Sequence, residues 1–335
     1  LNAEANRLAH ALRADGVGKN DVVMFTLLNS PEFVFCYLAA HKIGAIACPV
    51  NYRQGAGEIA LVIDDSTPKA FIYDAEFGEL SGGALDLCES KPAIKIVVGA
   101  DDAVPAGQVR YADYVADQPE NDPPIDFDPH IYDETTRLYT SGTTNRPKGV
   151  PINNINEVLS AHDVMMHFPL GPTDRTMNMT LYAGGEVVIL RDFAPRRCLE
   201  YTEKYKISFL IGVPTIIAML ARTQERTPYD LSALRGIVTM GAPFEKSACE
   251  KYMKLLTPNI FNGYGTTESF WNTFLRPFDL PDNAGSAGRS CTDDEVRIVK
   301  LREDGSHSEP DDLVPHDNVT EGEIINSSPA KSAFC

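Results

Sequence analysis

Short apolar runs of strand length alternate with segments of helical periodicity along most of this chain. Val22–Leu28 is an apolar run typical of a strand that is buried on both faces. Ser30 and Pro31 then mark a helix start, as N-cap and first helical residue. A helix over Glu32–His41 and a strand over Ile46–Val50 follow. The order strand, helix, strand predicts parallel sheets covered by helices on both faces, the α/β class.

The same alternation continues downstream. Further strands are predicted over Ala70–Tyr73, Ile94–Val98, Glu186–Leu190, Phe209–Val213, Gly236–Met240 and Ile260–Asn262. Further helices are predicted over Leu1–Leu12, Asn153–Met166, Pro195–Tyr205, Ile217–Ala221 and Glu245–Leu256. The Pro- and Asp-rich segment Asp117–Asp128 is predicted to be a surface linker. Beyond Asp279, turn residues and short alternating runs replace the pattern of alternating strands and helices. Strands predicted at Glu295–Val299 and Glu321–Ile325 indicate a smaller β-rich subdomain.

Composition limits the classes of partner. The 335 residues are 43% hydrophobic, which is enough for a large core, and the formal net charge is -17. An acidic surface argues against nucleic acids and anionic membranes as main partners. The seven cysteines include no CxxC pair and the seven histidines are scattered, so we expect reduced thiols and no Cys/His metal cluster.

Placement in the cell is predicted from apolar segments. The longest one, Phe33–Val50, contains His41, Lys42 and Gly44, so it is interpreted as a buried helix and strand and not as a membrane span. No signal peptide is visible, and a cytoplasmic location is predicted. Leu1 lies within a helical pattern, so we expect the natural start upstream of it.

The segment Tyr139–Val150 concentrates groups that bind phosphate. Its hydroxyl groups, glycines and cations are contributed by Ser141, Thr143, Thr144, Gly142, Gly149, Arg146 and Lys148. Glycines let the backbone approach an anion and expose its N–H groups. Pro147 before Lys148 and Gly149 after it exclude a Walker A loop. A polar surface hairpin is the alternative, but such a density of donors favours a nucleotide-phosphate loop.

A second Gly-rich segment follows a short apolar strand. Asn262–Glu268 reads NGYGTTE, with two glycines around the aromatic ring of Tyr264. That ring suits a flat base, Thr267 offers a hydroxyl group, and Glu268 offers a hard oxygen for Mg²⁺. Taken alone, the segment is at least as typical of a structural Gly-rich turn with a buried tyrosine as it is of a nucleotide site.

Together, and in this order, the two segments resemble the motifs of adenylate-forming enzymes: acyl-CoA synthetases, luciferase-like ligases and peptide-synthetase adenylation domains. Three shorter segments are also similar to that superfamily, namely Gly212–Thr215, Met240–Pro243 and Gly285–Arg289. Asn145 departs from the pattern, which usually has Gly there. Asn tolerates the left-handed backbone better than most residues, so the turn can survive.

The resemblance implies a fold and a site. The fold would be a large N-terminal adenylation core of two mostly parallel sheets, with intertwined ATP- and acid-binding subdomains over 1–285 and the start of a third subdomain over 286–335. Lys148, Thr267 and Glu268 would be catalytic, and Glu268 and Thr140 would contact metal. ATP would be bound by Thr140, Ser141, Gly142, Thr143, Thr144, Lys148, Gly241, Ala242, Pro243, Asn262, Gly263, Tyr264, Gly265, Thr266 and Thr267.

Two parts of the superfamily pattern are missing. An aromatic-His segment would be expected after Thr180, where the chain runs directly into Leu181; an omitted loop is favoured over a deletion. The later Asp for ribose and the C-terminal lid with its catalytic Lys have no counterpart before Cys335. We therefore expect a truncated enzyme core, poorly active by itself.

The implied activity is ATP- and Mg²⁺-dependent activation of a small carboxylic acid, followed by transfer to coenzyme A. Two alternatives stay open. One is an adenylation domain that loads a carrier protein, and the other is a non-catalytic nucleotide-binding module. The acid could be cyclic, aromatic or of medium chain length, and a homodimer is possible.

Overall fold

The computed structural model describes residues 1–101, 104–140, 146–168, 170–176, 183–292 and 294–328. The chain divides into two compact units, Leu1–Glu157 and Val158–Cys335, which are described in turn. The β-rich subdomain predicted from residue 286 onward is a finer division within the second unit, and it stays a prediction.

The first unit contains a seven-stranded sheet in the order β5-β4-β3-β1-β2-β6-β7. Neighbouring strands are parallel except for the antiparallel pair β6 and β7. The strands are β1 Val22–Thr26, β2 Ile46–Pro49, β3 Ala70–Asp74, β4 Ile94–Val98, β5 Val109–Arg110, β6 Glu134–Thr140 and β7 Lys148–Asn153. The helices are α1 Asn2–Ala14, α2 Pro31–Lys42, α3 Ala56–Ser66, α4 Gly78–Leu87, α5 Tyr111–Val115 and α6 Asn154–His167, the last of which continues into the second unit.

Strand β1 shows why this sheet is covered on both faces. Val23 and Phe25 belong to a core shared with α1 and α2, whereas Val22 and Met24 belong to a core shared with α3. Successive side chains of a strand point to opposite faces, so a strand buried on both sides is apolar at most positions, as Val22–Phe25 are. The apolar run in the sequence is confirmed as such a strand.

Helix α2 begins where the sequence predicted. The Ser30 side chain accepts a hydrogen bond from the Phe33 backbone N–H, and Pro31 is the first helical residue. Helices α3 and α4 were not predicted. The α4 sequence GELSGGALDL contains three glycines, and a low intrinsic helix propensity hides a helix that is stabilised by packing.

The predicted linker Asp117–Asp128 carries no helix or strand, and side chains of α1 and α2 hold it. Asn6 donates to the Glu120 carbonyl at 2.6 Å, and Arg13 donates to the Pro124 carbonyl at 2.6 Å. Lys42 forms an ion pair with Asp122 at 2.7 Å. The linker is therefore fixed to the helical face of the first unit.

The second unit contains another seven-stranded sheet, in the order β14-β13-β12-β11-β10-β8-β9. Strands β8 to β12 pair in parallel, and β13 and β14 add antiparallel pairs. The strands are β8 Arg175–Thr176, β9 Glu186–Val187, β10 Phe209–Ile211, β11 Gly236–Met240, β12 Ile260–Tyr264, β13 Thr273–Leu275, β14 Arg289–Ser290, β15 Glu295–Val299 and β16 Glu323–Ser327. The helices are α7 Pro195–Tyr205, α8 Pro214–Arg226 and α9 Lys246–Leu255.

Two cores cover the two faces of this sheet. Ile237 on β11 lies in a core with residues of α7, α8 and α9, and the next residue, Val238, lies in a core with Phe168, Phe261 and Phe274. Strands β15 and β16 form a separate antiparallel pair, as the alternating pattern predicted. The expectation of two mostly parallel, helix-covered sheets is confirmed.

The sequence predicts reduced thiols, and the cysteines that the structure describes, Cys36, Cys48, Cys88, Cys198, Cys249 and Cys291, are all buried and form no disulfide. No described helix is both long enough and apolar enough to span a bilayer.

His167, the last residue of α6, is a half-buried titratable group in the second unit. Its ring packs against Phe274 with centroids 4.8 Å apart, and its Nδ1 lies 3.0 Å from the Arg276 guanidinium. Burial, with a smaller contribution from Arg276, lowers the pKa of His167 to about 4. The folded protein therefore favours the neutral ring, in which Nδ1 accepts the hydrogen bond.

This arrangement predicts an acid-labile component of stability. Between about pH 6.5 and pH 4 the unfolded chain binds one more proton at His167 than the folded chain. The free energy of unfolding should fall through this window as pH falls, by less than about 1.4 kcal/mol per pH unit because the ring is half exposed. His167→Asn, which keeps an acceptor for Arg276, should flatten the slope in urea titrations. His162→Asn, at an exposed site on the same helix, should not; equal slopes in all three proteins would contradict the assignment.

Candidate functional site

The hairpin between β6 and β7 carries the first predicted motif. Thr140 and Lys148 are cross-strand partners, and so are Tyr139 and Gly149. The two residues on either side of the predicted phosphate loop are therefore paired directly with each other. The Lys148 side chain is exposed at the mouth of this loop. Ser141, Gly142, Thr143, Thr144 and Asn145 lie outside the described residues, and their phosphate contacts stay predictions.

Tyr139 and Gly149 fix the base of the hairpin. The Tyr139 hydroxyl donates to an Asp65 carboxylate oxygen at 2.5 Å, and its ring crosses the hairpin over Gly149. A Cβ at position 149 would lie 3.1 Å from the ring carbon Cζ of Tyr139. Burial and the Asp65 carboxylate raise the pKa of Tyr139, so its hydroxyl stays protonated as a donor. Gly149 thus leaves room for the Tyr139 ring, in addition to any approach to an anion.

In the second unit, three predicted segments meet at the carboxyl edge of adjacent parallel strands. Gly212–Thr215 follows β10, Met240–Pro243 ends β11 and leads out of it, and Asn262–Glu268 does the same for β12. The Asn262 side-chain amide reaches the Ala242 carbonyl at 3.5 Å. A Cβ on Gly241, which has φ +87°, would meet Val213 Cγ1 at 4.0 Å. Ligands of open α/β sheets bind at this edge, where the loops converge.

The Gly-rich segment after β12 folds back on itself very tightly. A Cβ on Gly265 would lie 1.6 Å from the Phe270 carbonyl oxygen, so only glycine fits at this position. The Asn272 N–H donates to the Tyr264 carbonyl at 2.8 Å, which closes the turn. Phe270 has φ +55°, a left-handed conformation that is costly for a bulky residue and that marks a constrained loop.

Polar side chains within the turn support one another. Thr266 Oγ1 lies 2.9 Å from Ser269 Oγ, and Ser269 donates to the Asn272 side-chain oxygen at 2.8 Å. Thr267 and Glu268, at the tip, are half-buried, and Tyr264 is 36% exposed. The sequence analysis identified Thr266 and Thr267 but missed Ser269 and Asn272. Their contribution depends on how the turn closes, which no local pattern reveals.

Trp271 lies against the backbone of β12. A Cβ on Gly263 would meet the indole ring at 2.5 Å, and the same ring lies 5.0 Å from the Phe274 ring. Gly263 is therefore glycine because an aromatic side chain covers it. The resemblance assigned Gly263 to the nucleotide site, and the structure shows that the Trp271 ring packs directly against it.

The segment Gly285–Arg289 is held by packing and by one ion pair. Gly288 has φ +85°, and a Cβ there would lie 2.2 Å from the Phe274 backbone. Arg289 forms an ion pair at 2.9 Å with Asp279, whose side chain is 5% exposed. A buried carboxylate needs such a partner, so this segment has a clear structural role.

Each of the two segments contributes groups that suit part of a nucleotide or a hard cation. In the first, Lys148 supplies an exposed positive charge and Thr140 a hydroxyl group at a strand end. In the second, Thr267 supplies a hydroxyl group next to the Glu268 carboxylate, and oxygen donors of this kind are the ligands that Mg²⁺ prefers. Because Gly265 has no Cβ, the Phe270 carbonyl oxygen can pack against it, and this close contact permits the tight turn that carries Thr267 and Glu268.

The Gly265 turn gives a direct test of this geometry. Gly265→Ala should force the turn open, lower the free energy of unfolding by about 1–3 kcal/mol and weaken ATP binding measured by calorimetry. Gly171→Ala is the control in the same unit, since a Cβ there would meet no atom within 4 Å. Unchanged ATP binding and stability in Gly265→Ala would contradict the tight turn.

Comparison with known proteins places this arrangement in a family. The model of the AMP-binding enzyme family matches residues 1–331. A feruloyl-CoA synthase from Amycolatopsis sp is 28% identical over 98% of this chain and 64% of its own length. A medium/long-chain-fatty-acid and 3-oxocholest-4-en-26-oate CoA ligase from Mycolicibacterium smegmatis is 27% identical over 92% of this chain and 62% of its own. The chain thus spans less than two thirds of the length of these relatives.

Solved structures show the same fold. The anthranilate CoA ligase AuaEII in complex with anthranoyl-AMP superposes with a TM-score of 0.87 at 24% identity, covering 98% of this chain and 64% of that one. A long-chain-fatty-acid-CoA ligase from Archaeoglobus fulgidus gives a TM-score of 0.83 at 23% identity, covering 98% and 67%. With the family match over nearly the whole chain, and with its motifs on two helix-covered parallel sheets, this chain belongs to the AMP-binding enzyme family.

Proposed function

We propose that the protein containing this chain is an AMP-forming carboxylate–CoA ligase. The observation that carries the proposal is the meeting of Gly212–Thr215, Met240–Pro243 and Asn262–Glu268 at one sheet edge, in a chain of the AMP-binding enzyme family. The relatives named above are CoA ligases, which favours coenzyme A over a carrier protein as acceptor.

In the first step, a carboxylate oxygen of the acid attacks the α-phosphorus of ATP, and the bond to the β-phosphate oxygen breaks. The products are an acyl-adenylate and pyrophosphate. Both reactants are anions, so acceleration must come from positioning and from charge neutralisation. Lys148 would neutralise phosphate charge, Thr267 would donate to the α-phosphate, and Tyr264 would stack on adenine with Asn262 and Gly241–Pro243 beside it.

Mg²⁺ would be held by Glu268, with Thr140 as a further oxygen contact, and when bound it would offset negative charge on the phosphates. Thr140, Ser141, Gly142, Thr143 and Thr144 would bind the β- and γ-phosphates with hydroxyl and N–H donors, and Gly263, Gly265 and Thr266 would contact the nucleotide from the second segment. In the second step the sulfur of coenzyme A attacks the acyl carbonyl carbon, its proton is released, and AMP leaves.

An aromatic or cyclic acid fits the aromatic surroundings of Gly263 best. The Trp271 ring covers Gly263, and Phe274, Phe261 and Phe168 pack behind it with ring centroids 4.7 to 5.0 Å apart. Flat rings pack favourably in offset and edge-to-face contacts of this kind. The feruloyl-CoA synthase relative is consistent with such a substrate, and the medium/long-chain-fatty-acid ligase keeps an extended chain as the second candidate.

The ligase proposal predicts acid-dependent pyrophosphate exchange into ATP by the whole protein. Lys148→Ala should slow exchange about 10²–10³-fold, because one charged contact to the reacting phosphates is lost. Lys251→Ala, which removes a surface ion pair with Glu225 on α8, should leave the rate unchanged. Absence of exchange with every acid of an aromatic and aliphatic panel, together with absence of ATP binding, would refute the proposal.

A second prediction concerns the acid. Trp271→Ala should open space beside Gly263, where the indole ring lies, and kcat/KM for acids bulkier than the preferred one should rise by at least about tenfold relative to the preferred acid. Phe278→Ala removes an aromatic ring that is 71% exposed, and it should leave the ratio unaltered. An unchanged preference in Trp271→Ala would place the acid elsewhere.

A further inference from the structure

A cluster of potential metal ligands lies in the second unit, outside the motifs. It consists of Asp163 in the middle of α6, Cys291 directly after β14, and Asp294 three residues later. One ligand atom from each residue, two carboxylate oxygens and a thiol sulfur, lies within 4.8 Å of the other two. Asp163 is 4% exposed and Cys291 is 5% exposed. Asp294 is half-buried as a residue, but its Oδ1 is shielded from solvent.

The cluster brings two carboxylates and a thiol close together in a part of the unit that is mostly shielded from water. Carboxylates that lie close together repel, and a divalent cation held between them would offset the charge of both.

Asn272 provides an independent indication that the cluster binds a ligand. The Cys291 N–H donates to the Asn272 carbonyl at 2.9 Å, and the adjacent residues Thr273 and Ser290 are paired across the antiparallel ladder. Asn272 and Cys291 are thus directly opposite, so their side chains project from the same face. Asn272 is 3% exposed, and its Nδ2 has no hydrogen-bond partner within the described parts of the chain.

The side-chain amide of Asn272 can serve as a metal ligand after one rotation. Its Oδ1 accepts from Ser269 Oγ at 2.8 Å. Exchange of the amide oxygen and nitrogen by a flip would keep a hydrogen bond to Ser269, since a hydroxyl group both donates and accepts. The oxygen would then face the side of Cys291. Two carboxylate oxygens, one sulfur and one amide oxygen make four donors, the number typical of a structural zinc site.

We propose that Asp163, Cys291 and Asp294, with Asn272 as fourth ligand, bind one divalent metal ion of the zinc class. The sulfur ligand selects this class, because Mg²⁺ and Ca²⁺ take oxygen donors whereas Zn²⁺ accepts thiolate and carboxylate together. Formation of the metal–sulfur bond releases the thiol proton to solvent. The ion would tie α6 to the segment after β14, and the site is separate from the Mg²⁺ proposed at Glu268.

The test uses Co²⁺ as a spectroscopic substitute for Zn²⁺, added to the whole protein after metal removal. A cobalt–thiolate bond gives a charge-transfer band in the near ultraviolet, which Co²⁺ bound only by oxygen ligands lacks. We expect about one equivalent of Co²⁺ to produce the band, and equimolar Zn²⁺ to abolish it. Cys291→Ser should lose the band. Cys249→Ser removes another buried thiol of the same unit and should keep it.

A second variant keeps the test decisive if Cys291→Ser does not fold, which circular dichroism would reveal. Asp163→Asn retains the thiol and should show the band at a Co²⁺ affinity lower by at least about tenfold. Wild-type protein without the band at saturating Co²⁺ would overturn the proposal. So would a band that persists in Cys291→Ser, or an unchanged affinity in Asp163→Asn. None of these readouts depends on ligase activity.

Discussion

Helices cover both faces of each seven-stranded sheet, and this burial is the constraint on which the rest of the structure depends. A parallel strand with two buried faces must be apolar throughout, as Val22–Met24 and Ile237–Val238 are. Backbone polar groups are then satisfied only by neighbouring strands, so the order of strands is fixed by pairing. Binding and catalytic residues therefore lie mostly in the loops at the carboxyl ends of the strands. In the second unit those loops contain the predicted motif segments, and they converge because β10, β11 and β12 are neighbours.

At the candidate site, the main structural effect of the glycines is that the absence of a Cβ lets a neighbouring protein group approach closely. Gly265 admits the Phe270 carbonyl oxygen, Gly263 admits the Trp271 ring, and Gly149 admits the Tyr139 ring. A sequence motif rich in glycine is commonly interpreted as backbone approaching a phosphate. Here a Cβ would clash with a neighbouring protein group at Gly265 and Gly263, and it would make a tight contact at Gly149. The same residues can serve both purposes, since a rigid turn also holds its hydroxyl and carboxylate groups in place for a ligand.

Much of the fold was predictable from local patterns. The cap at Ser30 and Pro31, the strand at β1 and the boundaries of α7 and β11 were predicted within two residues at each end, because period and capping chemistry are local properties. Helix α4 was missed because its glycines lower intrinsic propensity while Ala84 is buried in the core. Strand ends were predicted too long at β9 and β10, where pairing in the sheet sets the length. In the site, Ser269 and Asn272 were missed because they act through the closed turn.

The sequence by itself determined the α/β class, the two motif segments and the resemblance to adenylate-forming enzymes, since each depends on residues close together in the chain. Only the tertiary structure decided which segments meet. It brought Gly241–Pro243 next to Asn262, placed Trp271 over Gly263, and brought Asp163 close to Cys291 and Asp294. Contacts of this kind, whether the residues are eight or more than a hundred positions apart, leave no periodic signal in one sequence. They arise from strand order and helix packing, which are properties of the folded chain.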